Sequence, residues 1–273
     1  MKKNKWIAVL LTAVICAGLA GCGGTAESTS SSAVESVAES TESTGSTAET
    51  AAAGGTLRVG TDATFAPFEY EENGEYVGFD IDLMESMAAQ MGYSDVEFVN
   101  TAFQGLIPGL TADKFDVIAS AMYITDERKQ SIDFTDPYFA GGLCIMVQKD
   151  NTDITGPDSL SGKSVAVQVG TKSDTYLDEN YPDVEKVTVE QNSEMFLQLE
   201  TGKVDAVVTG RPAALTYAKT SGNVMVLDEN LTQEDYGWGV RKDDTELKDA
   251  MNAALAALKE NGTYDELVSK WFE

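Results

Sequence analysis

From Thr56 onward the chain alternates short apolar runs with amphipathic ones, and it does so in two successive sets. "TLRVGTD" is a buried strand ending in polar residues, and "GFDIDLMESMAAQMG" places Phe79, Leu83, Met87 and Met91 at helical spacing before stopping at Gly92. "VEFVN" and "FDVIASA" are strands on either side of a short helix, "FQGLIPGLTA", and "GGLCIMVQK" is another strand past Pro137. The second set runs strand "SVAVQVG", helix "SDTYLDEN", strand "EKVTVE", helix "SEMFLQLETG", strand "DAVVTG", helix "PAALTYAKT" and strand "VMVLD". A strand, "YGWGVRK", and two amphipathic helices, "TELKDAMNAALAALKENG" and "YDELVSKWF", close the chain. Two βα sets predict two α/β lobes with mainly parallel sheets.

Ligands of such sheets sit beyond the carboxyl ends of the strands. The residues to interrogate are therefore 62–68, 101–104, 120–128, 168–173 and 209–211. Phe65 and Phe103 stand in loops, although a lone aromatic is more often packing than function. Thr171 and Ser173 precede a helix, where N-capping is their simplest role and where exposed amides favour a carboxylate. Pro212 suits the first turn of the next helix. "SAMYITDERK" leaves a buried strand and ends in Asp126, Glu127 and Arg128. Arg128 is either a solvated charge at a helix start or a guanidinium held to grip an anion.

The N-terminus has a different character. "MKKNKW", the apolar "IAVLLTAVICAGLA" and the small-residue ending "LAGC" form a secretion signal over 1–21, too short for a membrane span. The ending resembles the bacterial lipoprotein box, which implies that Cys22 becomes the lipidated first residue, carrying acyl chains such as palmitate. One such residue tethers a chain to the cell membrane without spanning it. From 22 to 55 the Ser/Thr/Glu/Ala-rich sequence has no aromatic residue and little to bury, which predicts a flexible tether.

Cys16 falls in the signal and Cys22 in the lipoprotein box, so Cys144 alone remains for the folded part and no internal disulfide is expected. The formal charge of −26 makes nucleic acid and anionic head groups poor partners. With no histidine and no clustered thiols, neither a zinc site nor a His-based hydrolase triad is expected, and no metal or cofactor is called for.

The ordered blocks "VGTDATFAPFEY", "GFDIDLMESMA", "FQGLIPGL", "KFDVIASAMYITDERKQSIDFTDPYF", "LSGKSVAVQVGT", "GKVDAVV" and "NGTYDELVSKWF" strongly resemble the bacterial extracellular solute-binding proteins of family 3. That resemblance covers Thr56 to Glu273. It implies a type II periplasmic-binding-protein fold, an α/β class with two lobes joined by two crossover strands and a ligand cleft between them. The crossovers are expected near Tyr138–Gly142 and Gln233–Gly237, with lobe 1 at 56–138 and 237–273 and lobe 2 at 139–236. The implied function is capture of an amino acid or derivative outside the membrane, by a monomer that delivers it to the permease subunits of an ABC importer, with no reaction catalysed.

By the same resemblance, Arg128 holds the ligand's α-carboxylate, and Ser120, Ala121 and Tyr123 add hydrogen bonds beside it. Thr171 and Lys172 match the lobe 2 loop whose amides complete that site. Phe65 and Phe103 match aromatic walls, Asp62 a position that meets the ligand's polar end, and Gln168 another reader of the side chain. Two departures stand out. Gly210 occupies the position where an Asp commonly pairs with the α-ammonium, leaving Asp62 or Glu69 to take the amine. Tyr123 replaces a smaller residue, so that with Phe65 and Phe103 it could form an aromatic box for a cation. The box makes an ectoine-like compatible solute or an opine the alternative ligand. Certain dehydratases share the scaffold, and Asp62 and Glu69 would be their candidate acid and base.

Overall fold

The computed structural model describes residues 54–273. The signal, Cys22 and the tether up to residue 53 lie outside the described residues.

The first half opens with β1 (Thr56–Thr61), then three short strands, β2 (Thr64–Phe65), β3 (Glu69–Glu72) and β4 (Glu75–Val77), that form a small antiparallel sheet of their own. Helix α1 (Phe79–Met91) follows, and its apolar stripe is fully buried at Phe79, Leu83 and Met87. Each such side chain contributes about 1.5–3 kcal/mol. Gly92 ends the helix in the left-handed conformation. Gly78 starts it at φ 139°, where an added Cβ would lie 2.1 Å from the Phe68 carbonyl oxygen. Then come β5 (Asp95–Asn100), α2 (Leu106–Thr111), β6 (Val117–Ile118), β7 (Ile132–Phe134) and β8 (Phe139–Ala140).

The second half runs β9 (Leu143–Gln148), β10 (Ser164–Gln168), α3 (Lys172–Asn180), β11 (Glu185–Val189), α4 (Asn192–Glu200), β12 (Ala206–Gly210), α5 (Arg211–Ser221) and β13 (Val224–Asn230). The chain returns through β14 (Asp235–Tyr236) to β15 (Gly239–Arg241), then ends in α6 (Thr245–Glu260) and α7 (Thr263–Phe272). Asp82 on α1 anchors the last helix by accepting from Lys270 Nζ at 2.6 Å and Trp271 Nε1 at 2.7 Å.

The two large sheets repeat one plan. Their strand orders are β5-β1-β6-β15-β7 and β11-β10-β12-β9-β13. In each, one strand runs against its neighbours: β15 is antiparallel to β6 and β7, and β9 to β12 and β13. Both odd strands are the first laid down after the chain passes from one sheet to the other. Between the sheets β8 pairs antiparallel with β14, at the two places where crossovers are expected.

The structure alters two local readings. "FDVIASA" contributes only Val117–Ile118 to the ladder, because the chain bends out of the sheet toward Ala121 at φ 39°. "YGWGVRK" is two strands, parted at Gly237, where an added Cβ would meet the Ile124 side chain at 2.7 Å.

Candidate functional site: a polar cavity between the lobes

The carboxyl ends of β1, β6, β10 and β12 face one another across a cavity lined from both lobes. Ten of the residues expected at a site line it: Asp62, Phe65, Phe103, Ser120, Ala121 and Tyr123 from one side, and Gln168, Thr171, Lys172 and Gly210 from the other. Arg128 is not in the lining. It sits just behind, with its guanidinium 5.2 Å over the Phe103 ring, donating from Nη1 to the Tyr123 carbonyl (2.9 Å) and from Nη2 to the Gly170 carbonyl (3.3 Å). Burial lowers its pKa to about 10, and no carboxylate among the described residues lies within ion-pair distance. A desolvated guanidinium bonded only to neutral carbonyls retains its charge for an anion.

Helix α3 adds a second anion-seeking feature beside it. The Thr171 hydroxyl donates to the Gln168 carbonyl (2.7 Å) instead of capping the helix, so the first amides, on the cavity-lining Lys172 and Ser173, have no partner within the chain. The Lys172 ammonium is directed away, 3.9 Å from Glu179 on the next turns of the helix.

Asp62 lines the cavity and bridges the lobes. Its Oδ1 accepts from Thr64 Oγ1 (3.0 Å), and its Oδ2 accepts from the Phe103 amide (3.1 Å) and from Gln168 Nε2 (2.5 Å) on the opposite lobe. These contacts engage both oxygens and tie the lobes together, with one lone-pair position left on Oδ1. Gln168 is held in turn by Asn192, whose Nδ2 donates to its Oε1 (2.8 Å). Gln104 donates to Glu190 across the same seam (3.1 Å).

Three buried carboxyls lie on the lobe 1 side. Ser120 Oγ accepts from the Asp62 amide and donates to Glu69 Oε1, both at 3.1 Å. Glu69 Oε2 has no hydrogen-bond partner although the residue lines the cavity and is 1% exposed. Burial, with Asp80 and Asp62 nearby, pushes its carboxyl well above the ordinary range. Asp80 accepts from the Ala121 amide (3.0 Å) and the Tyr138 hydroxyl (2.7 Å), and burial raises it to about 7. These acids are not arranged to hold a metal ion.

The three rings of the expected aromatic box all line the cavity. The Tyr123 ring packs on Tyr236 with centroids 4.5 Å apart, and Phe103 lies under Arg128. Gly210, the position of the expected acid, has a steric reason to be glycine: an added Cβ would stand 2.2 Å from Tyr236 Oη and 3.3 Å from Tyr123 Oη. Tyr236 and Asn192 line the cavity and escaped the sequence reading. Asn192 follows β11 closely, so the strand-end rule could have found it. From the sequence, Tyr236 has only a crossover role.

Two α/β lobes of matched strand order, crossed twice and closed over a polar cavity, define the type II periplasmic binding proteins. The chain belongs to the bacterial extracellular solute-binding proteins, family 3, whose profile matches residues 57–273. It is 35% identical over 222 residues to ABC transporter arginine-binding protein 1 of Escherichia coli strain K12, covering 79% of this chain and 90% of the relative. Among solved structures, an ancestral arginine-binding protein bound to arginine aligns with a TM-score of 0.76 and 44% identity, over 80% of this chain and 99% of that one. An ancestral amino acid-binding protein described as a precursor of cyclohexadienyl dehydratase aligns with a TM-score of 0.76 and 45% identity, over 80% and 96%.

Proposed function

We propose that the protein is the amino-acid receptor of an ABC importer, held outside the cell membrane by a lipid on Cys22, and that its ligand carries a cationic side chain. The observation that carries the side-chain assignment is Glu69 Oε2, a buried carboxyl oxygen at the cavity with no partner in the chain. A buried unpaired acid is costly, and a ligand guanidinium or ammonium offsets that cost. The relatives named for arginine support the same reading.

In this reading lobe 1 (56–138 and 237–273) supplies the charged contacts. Arg128 swings its guanidinium from the backbone carbonyls to the ligand carboxylate, Ser120 and Ala121 border it, and the amides of α3 at Thr171 and Lys172 complete the anion site from lobe 2 (139–236). Phe65 and Phe103 flank the aliphatic stem. Contacts to both lobes exist together only when the cleft is shut, so binding favours the closed state that a permease recognises. Binding without turnover is the reading that the relatives named as binding proteins support.

Calorimetric titration with arginine, lysine, citrulline and glutamine tests the assignment. The cationic ligands should bind at least tenfold more tightly than the neutral ones, and Glu69→Gln should erase that ratio. Equal affinity for arginine and citrulline in the native protein would overturn it.

A further inference from the structure

We infer that the cavity takes up its cationic ligand in exchange for a proton held on Glu69. While the cavity is empty Glu69 is a neutral carboxylic acid, and it gives its hydrogen to solvent as the cation pairs with Oε2. The inference rests on the cationic side-chain reading proposed above and adds what the site must release to accept that side chain.

Two acids meet at the lobe 1 wall of the cavity, and each has one oxygen without a partner. Ser120 Oγ donates to Glu69 Oε1 (3.1 Å), and the amide of the next residue, Ala121, donates to Asp80 Oδ2 (3.0 Å). The Asp80 amide in turn donates to the carbonyl of Phe68, the residue before Glu69 (2.8 Å). Neighbouring residues thus hold both carboxyls, and Glu69 Oε2 and Asp80 Oδ1 are the oxygens left over. Both side chains are closed to solvent. The titratable groups facing Glu69 are acids and phenols: Asp80 from α1, Asp62 after β1, Tyr138 before β8 and Tyr236 on β14. The cations at the cavity serve elsewhere, Arg128 on two backbone carbonyls and Lys172 toward Glu179.

An ionised Glu69 in the empty cavity would be a buried charge with a second acid behind it and no countercharge. Keeping the hydrogen removes that cost, and Oε2 is the oxygen free to carry it. A guanidinium or ammonium at Oε2 reverses the balance, because it brings the countercharge and the hydrogen-bond donor together. The exchange conserves atoms and charge: a neutral acid and a cation become a carboxylate–cation pair and one proton in the buffer. Affinity for the cation therefore rises with pH while the empty protein holds the Glu69 proton, and levels off once that proton is lost. Asp80 acts through Glu69. Burial raises it to about 7, and as it ionises its charge holds the Glu69 proton to higher pH.

The test is calorimetric titration with arginine and citrulline in phosphate and in bis-tris, whose enthalpies of ionisation differ. The buffer dependence of the binding enthalpy counts protons: at about pH 6, about one should leave per arginine and none per citrulline. The ratio of arginine to citrulline affinity should rise about tenfold per pH unit between about pH 5 and pH 7. Infrared difference spectra should show a protonated-carboxyl band lost on arginine binding, and Glu69→Gln should abolish both that loss and the proton release. Asp80→Asn should lower the pH at which the ratio levels off by about one unit, a shift that a merely structural role for Asp80 would not produce. Tighter binding of arginine than of citrulline, with no proton released and a flat ratio, overturns the inference and leaves the cationic reading standing. Equal binding of the two ligands at every pH defeats both. Proton release that survives in Glu69→Gln places the hydrogen on another group and overturns the assignment.

Discussion

Asp80 shows how one side chain joins sequence, strain and charge. It sits in the first turn of α1, where the helix dipole favours an anion, yet complete burial raises its pKa to about 7. Its Oδ2 fixes the amide of Ala121, a non-glycine residue at φ 39°, and thereby the bend from which Tyr123 reaches the cavity. Burial also raises Glu69, so each acid keeps its proton to a higher pH in the folded state than in the unfolded chain, and for Asp80 that window runs from about pH 4 to about pH 7. Stability therefore falls as pH rises through that window. The depressed carboxyls Asp116, Asp133 and Asp205 act oppositely, and their contribution is lost only as pH falls below the ordinary carboxylate range. Thermal unfolding of the ligand-free protein should peak at roughly pH 5 and drop by about 5–10 °C toward pH 8. Asp80→Asn, whose amide keeps an oxygen for Ala121, should flatten that drop; an unchanged slope would remove Asp80 as its cause.

Elements whose pattern lies within one short window were legible from the sequence. The α1 stripe and its Gly92 stop gave the helix its place because both signals are local. The small sheet of β2, β3 and β4 was not legible, since strands of two to four residues carry too little alternation to detect. Its consequence is nevertheless strict: Gly78 must pass against the Phe68 carbonyl at φ 139° to reach α1. Gly78→Ala should cost about 2–4 kcal/mol through both contact and conformation, measured by urea unfolding. A loss below about 0.5 kcal/mol would mean the turn relaxes freely. The site follows the same rule of range. Phe65, Gln168 and Thr171 could be picked out because they lie at or just past the ends of strands. The engagement of Asp62 by Gln168 could not, because it depends on two chain positions from opposite lobes meeting side by side.

At the scale of the whole molecule, the lobes are joined by side chains as well as by the β8–β14 crossing. Asp62–Gln168, Thr64–Asn192, Gln104–Glu190 and Arg128–Gly170 all span the cleft. Gln168 is central because it also satisfies Asn192 and the Glu190 carbonyl. Gln168→Ala should shift the ligand-free population toward open forms, seen as a larger radius of gyration in small-angle scattering. Because the closed state binds, affinity should fall by about tenfold if that state becomes a tenfold rarer fraction. Unchanged scattering and affinity would show that these bonds only accompany closure.

The placement of β15 also sets an order of assembly. β7 pairs with no strand except β15, which is made after every residue of the second large sheet. The second sheet, from Leu143 to Asn230, is continuous in the chain and has all its pairing partners as soon as β13 has been made. A chain made from its N-terminus can thus finish its later lobe first. The earlier lobe waits with an unpaired edge until the returning strand closes a long loop, the kind of distant contact that slows folding and leaves a nascent chain exposed to chaperones and proteases.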